Sequence, residues 1–156
     1  MKLIQMTRGK VATVDDGDFE NLNKFKWYPD SGGYPITKDP IRMHRLILKL
    51  EKGQKYVDHI NGNKLDNRRE NLRICTNRQN MMNSNRHADG ASGHKGVSFV
   101  KHPAKRNKRW VAQIKFLGKH RTKYYLTKEE AIVGYNEMAK NFFGEFAKLN
   151  TICLTK

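Results

Sequence analysis

The sequence predicts an α+β chain built from two modules, and three observations carry that prediction. Short apolar runs broken by turn residues fill the first third, where KVATV, DDGD and KFKWYPDSGGYPITK follow one another. Helix signals are few but sharp. Thr76 with Gln79 and Thr127 with Glu130 are capping-box pairs, in which a hydroxyl and a longer polar side chain satisfy each other's backbone N–H. The charge then divides the chain: residues 1–90 hold 17 basic and 11 acidic side chains, for +6, while residues 91–156 hold 14 and 4, for +10. The change falls at ADGASGHKG, residues 88–96, where small residues offer a flexible joint. The expected domains are 1–88, a linker at 89–93, and 94–156.

Within the first module, residues 1–54 suggest a small antiparallel β unit. Met43, Leu46, Ile47, Leu48 and Leu50 form an apolar run that carries His44 and Arg45. Periodicity does not decide whether it is a strand or a short helix. Residues 55–60 and 71–76 read as two short strands with an Asn-rich loop between them. A helix should start at Thr76 and run to about Arg86.

After the joint, KGVSFVKH, KRWVAQIKFLG and KHRTKYYL read as three strands. Alternation puts Trp110, Ala112 and Ile114 on one face of the second strand, and Arg109, Val111, Gln113 and Lys115 on the other. From Thr127 the period lengthens: Ala131, Tyr135, Met138, Ala139 and Phe142 recur at helical spacing. A three-stranded antiparallel sheet packed on one helix is the simplest arrangement.

Composition narrows the function. In all, 31 Lys and Arg stand against 15 Asp and Glu, a formal +16. A polyanion would relieve the self-repulsion of that charge, so nucleic acid is the leading partner, ahead of a membrane surface. No apolar run approaches the roughly 18 residues of a membrane span, and charged residues from Lys2 onward leave no secretory signal visible. Cys75 and Cys153 are far apart and match no zinc spacing. No zinc is expected, and a reducing cytoplasm is the natural setting.

The stretch YVDHINGNKLDNRRENLR, residues 56–73, is the chemical focus, with four Asn and four Lys or Arg in eighteen residues. Asp58-His59, then Asn71-Leu72-Arg73, then Asn80 on the capped helix resemble the His-Asn-His (HNH) nuclease motif in its variant ending in Asn. HRL at 44–46 resembles the same family. The likeness spans about residues 40–85 and implies a ββα-metal core behind the N-terminal β unit. It assigns His59 as general base, Asp58 and Asn80 as metal ligands, Asn71 as the brace of the loop, and His44 as a structural residue.

Those residue types suit phosphodiester hydrolysis. A neutral imidazole can take a proton from water near neutral pH, and hard oxygen donors suit Mg²⁺, with Mn²⁺ as the alternative. Arg68, Arg69 and Arg73 are expected to grip phosphates. Asp58 and His59 are neighbours, and a regular strand sends neighbours to opposite faces. Both can reach one phosphate only if the strand ends or twists there.

Residues 94–150 resemble the DNA-binding domain of APETALA/ethylene-response-factor proteins, through Gly96-Val97, Arg109-Trp110-Val111-Ala112-Gln113-Ile114, Glu129-Glu130-Ala131 with Tyr135, and Gly144, Ala147, Leu149 and Asn150. The resemblance implies a sheet laid in the major groove of double-stranded DNA. Candidate contacts are Arg109, Trp110, Gln113, Lys115, Arg121 and Lys123. The first strand lacks the arginines usual in that family, and the third lacks its Trp-Leu-Gly.

The expected function is a metal-dependent, homing-type DNA endonuclease that nicks at each active site, from a bacterium or a phage-infected cell. It needs no small-molecule cofactor and no membrane, and its oligomeric state is open. The alternative is a sequence-specific DNA-binding regulator with an inactive nuclease domain.

Overall fold

The computed structural model describes residues 1–51, 53, 55–84, 92–101 and 109–152. The chain mixes helix and sheet and separates into two compact units, Met1–Met81 and Met82–Lys156. The expected boundary near residue 88 and most of the expected linker fall on 85–91, outside the described residues.

The first unit opens with an antiparallel pair, β1 (Lys2–Gln5) and β2 (Val11–Val14). Alternation buries Ile4, Ala12 and Val14 together and turns Leu3 and Gln5 outward. Helix α1 (Asp16–Leu22) follows, with Asp16 and Asp18 in its first turn, where carboxylates favour the helix dipole. Trp27 is fully buried and donates its indole N–H to the Leu22 carbonyl at 2.9 Å. The two-residue strands β3 (Tyr28–Pro29) and β4 (Pro35–Ile36) then pair.

The ambiguous apolar run is a helix, α2 (Met43–Ile47), which buries Met43, His44 and Ile47. Met43 and Ile47 are one helical turn apart, so both reach the core that Ile4, Val14, Trp27 and Leu72 line. Strands β5 (Tyr56–His59) and β6 (Leu72–Cys75) pair antiparallel, with Asp58 opposite Arg73 and His59 opposite Leu72. Helix α3 (Asn77–Asn83) starts at the predicted cap: Gln79 N–H donates to Thr76 Oγ1 at 3.2 Å, and Thr76 N–H donates to Gln79 Oε1 at 2.8 Å. The expected helix end at Arg86 lies outside the described residues.

The second unit holds three antiparallel strands in the order β7 (Val97–Phe99), β8 (Trp110–Phe116) and β9 (Lys119–Tyr125), with helix α4 (Lys128–Phe143) on one face. The Thr127–Glu130 capping box is present. Gly96 has φ +67°, and a Cβ there would meet the Tyr135 ring at 2.2 Å and the Gln113 carbonyl at 2.6 Å, so glycine is required. Asn150 closes the unit: it exchanges two hydrogen bonds with the backbone of Lys95 at 2.8 and 2.9 Å, and two with Asn136 at the same distances.

Candidate active site

The site begins where β5 stops. The strand ends at His59, and Gly62 N–H closes a tight turn on the His59 carbonyl at 2.8 Å, with Gly62 at φ +77°. Asp58 and His59 are both only 5% exposed.

The loop after His59 is built from side-chain amides. Asn71 accepts from Asn61 N–H at 2.9 Å, donates to the Asp66 carbonyl at 2.7 Å, and takes Ile60 N–H on its own carbonyl at 2.9 Å. Asn61 donates its amide to Asp66 at 2.8 Å. Strand β2 grips the far side of the loop through Thr13 N–H to the Leu65 carbonyl and Asn67 N–H to the Thr13 carbonyl, both 2.8 Å. A polar loop this well satisfied costs little to bury and holds His59 in place.

Three neighbours surround the His59 ring. Asn67, fully buried, presents Oδ1 at 3.4 Å from His59 Nε2 and is itself anchored on the Lys64 carbonyl. An amide oxygen there favours the proton on Nε2 and leaves Nδ1 as the basic nitrogen. His44 stands edge-on to His59 with ring centroids 5.2 Å apart, and Tyr34 contacts both rings, at 5.5 Å to His44 and 5.8 Å to His59.

Burial pushes the His59 pKa down, against the opposing pull of Asn67 and Asp58. Burial also depresses His44, to about 3, and its buried Nδ1 has no hydrogen-bond partner among the described residues. Both rings are neutral at neutral pH.

Arg73 donates to Asp58 Oδ2 from Nε at 2.8 Å and from Nη2 at 2.7 Å. Arg68 is forked on Asp66, at 2.8 Å from both Nε and Nη2, and also meets Glu70. Arg69 is forked on Asp18 of α1 at 2.8 and 2.7 Å and reaches the Ile47 carbonyl. All three arginines expected to grip phosphate thus hold carboxylates of their own chain. Asn80 sits half-buried on α3 with its N–H on the Thr76 carbonyl at 3.0 Å.

In the second unit, strand register divides the expected DNA contacts. Gln113 pairs with Thr122 and Lys115 with His120, and both side chains are exposed on the face away from α4. Val111, on that same face, is nonetheless buried at 4% exposure. Trp110 shares the helix-side face with Ala112 and Ile114, packs on the helix-side core and meets Phe99 edge-on at 5.3 Å. Arg121 and Lys123 register with Ile114 and Ala112 on this side, and the Arg121 guanidinium lies 5.7 Å from the Phe142 ring of α4. Arg109 is exposed just before β8, its carbonyl taking Val100 N–H at 2.8 Å.

Residues 42–82 match the HNH endonuclease family. Across 157 aligned residues the chain is 35% identical to an uncharacterized HNH endonuclease, L560, of Acanthamoeba polyphaga mimivirus, covering 96% of this chain and 80% of that one. The chain belongs to the HNH endonuclease family, and that membership supports a nuclease function acting on DNA. No solved structure matches it. No helix among the described residues is long and apolar enough to cross a membrane.

The family implies a divalent cation. No three His, Cys, Asp or Glu side chains cluster as ligands among the described residues. Asp58 and Asn80 offer oxygen donors of the hard type that such an ion takes. Arg73 already supplies positive charge to the Asp58 carboxylate.

Asn67 and Tyr34, which contact the His59 ring, were not among the expected site residues. Asn67 lies inside the quoted LDNRREN run, but nothing local distinguishes it from the other asparagines.

Proposed function

We propose that this HNH family member is a metal-dependent, homing-type DNA endonuclease whose second unit, an APETALA/ethylene-response-factor-like module, holds the duplex. The observation that carries the reading is His59 itself. It is buried at the end of β5, kept neutral, with Asn67 at Nε2 and Asp58 beside it in sequence.

His59 Nδ1 accepts the proton of the attacking water, and the Asn67 contact holds the ring in the tautomer that makes this possible. Asn71 keeps the loop from collapsing onto the ring. Asp58 and Asn80 of a ββα-metal core would hold Mg²⁺ or Mn²⁺, which when bound neutralises charge building on the phosphate and the leaving oxygen. Gln113 and Lys115 on the open face of β8 are suited to base edges and phosphates. One such site per chain nicks one strand.

A second reading has a specific observation in its favour. Arg73 places two hydrogen bonds on Asp58 Oδ2, charge that a carboxylate retired from metal binding would need. A DNA-binding regulator with an inactive nuclease domain is the result. Incubation with supercoiled plasmid, with Mg²⁺ or with chelator, separates the two. Relaxed circles only with metal support the nuclease, whereas a mobility shift with no cutting at any metal concentration supports the regulator.

A further inference from the structure

The geometry points to Lys64 and Arg42, gathered over the ring of Tyr34, as a clamp for backbone phosphates of the DNA strand presented to His59. The inference rests on the nuclease reading and adds to it the residues of the first unit that would hold the substrate.

Substrate must be held close to His59, yet Arg68, Arg69 and Arg73 each spend two or more guanidinium nitrogens on carboxylates. Two other cations converge on the aromatic side chain that touches His59. Lys64 Nζ lies 4.9 Å from the Tyr34 ring centroid and the Arg42 guanidinium 4.7 Å from it, while the Tyr34 ring is 5.8 Å from that of His59. Lys64 spends one N–H on the Gly32 carbonyl at 2.6 Å and meets no carboxylate among the described residues, so its charge is not neutralised there. Arg42, 45% exposed, uses one Nη on Asp30 at 3.0 Å. A guanidinium has five N–H donors, and one such bond leaves capacity for an anion.

Placement favours a polymer backbone. Lys64 is in the loop that begins with the turn at His59, and its charge reaches that ring, where it opposes protonation. A depression of about 310 Å³ beside the clamp is lined by Lys64, Lys10, Gly33, Gly62 and Asn63. Its volume is at the small end of ligand sites, and glycine in the wall lets a sugar–phosphate chain approach closely. Stacking on Tyr34 fixes both cations before DNA arrives, lowering the ordering cost of binding.

The test uses the full chain and a duplex oligonucleotide. Binding is measured in chelator across several salt concentrations, and cleavage separately in Mg²⁺. Lys64→Gln and Arg42→Gln should each weaken binding several-fold and reduce the salt slope by about 0.9 per lost phosphate contact. KM should rise while kcat changes little. Lys64→Arg should keep the slope, and Tyr34→Leu should lose affinity as both cations drift. Thermal unfolding of each variant separates these effects from misfolding.

Wild-type affinity and slope in both glutamine variants overturn the clamp, and if the wild type still cuts, the nuclease reading survives that result. A wild type that binds but never cuts removes the nuclease reading alone, and slope lost in the variants then still supports the clamp.

Discussion

Arg73 and Asp58 face each other across β5 and β6 and close a two-pronged ion pair, with side chains 14% and 6% exposed. The carboxylate expected to hold a cation therefore rests on an organic cation. Removing one member of a buried pair strands the other's charge, at a cost of about 3–5 kcal/mol. Arg73→Gln should lower the unfolding temperature in chelator, and Mg²⁺ should restore part of the loss, because an ion bound only to the folded state stabilises it. A variant as stable as wild type would show that Asp58 does not depend on Arg73.

His59→Ala should cut cleavage about 10²–10⁴-fold, the usual contribution of a positioned base. DNA affinity should hardly move, since the cations that supply it lie elsewhere. Single-turnover cleavage and a binding isotherm on the same variant check both halves, and full activity would remove His59 from the mechanism.

His44 should make the first unit acid-sensitive. Its folded pKa is about 3 against an ordinary 6.5, so the unfolded chain binds the extra proton. The stabilising effect is fully present above about pH 6.5 and is lost as pH falls toward 3, amounting to a few kcal/mol. His44→Leu should flatten the stability profile between about pH 6.5 and 4.5, before most carboxylates titrate. Equal slopes for the two proteins would show that His44 is not the sensor.

The two faces of the second sheet should behave differently. Gln113→Ala and Lys115→Gln should weaken DNA binding, the lysine change with a smaller salt slope. Arg121→Gln should act mainly on stability, by about 0.5–1 kcal/mol, since its guanidinium lies by Phe142. Binding titrations beside thermal unfolding decide it, and a larger binding loss for Arg121 than for Lys115 would place the DNA face on the other side.

The local elements were legible because their causes are local. Capping pairs at Thr76 and Thr127 involve residues three apart, and alternation along 110–116 is a property of one strand. The resemblance of Asp58-His59, Asn71 and Asn80 to the HNH motif likewise rests on residues close in sequence, and it needed no knowledge of the fold. The run at 43–50 was not decidable, because a short apolar segment suits a strand or a helix until the core it must fill is known.

Tertiary structure decided the partners. Arg69 finds Asp18 51 positions away, and no spacing rule says that a basic run will spend its charge inside its own chain rather than on phosphate. Antiparallel register, which pairs Lys123 with Ala112 and Arg121 with Ile114, put those cations on the helix side of the sheet. The Tyr34–His44–His59 ring cluster joins three segments that are unrelated in sequence. Residue types and their spacing determined which chemistry the chain carries. The path of the backbone, which alone sets distances between remote side chains, determined which of those residues are available to perform it.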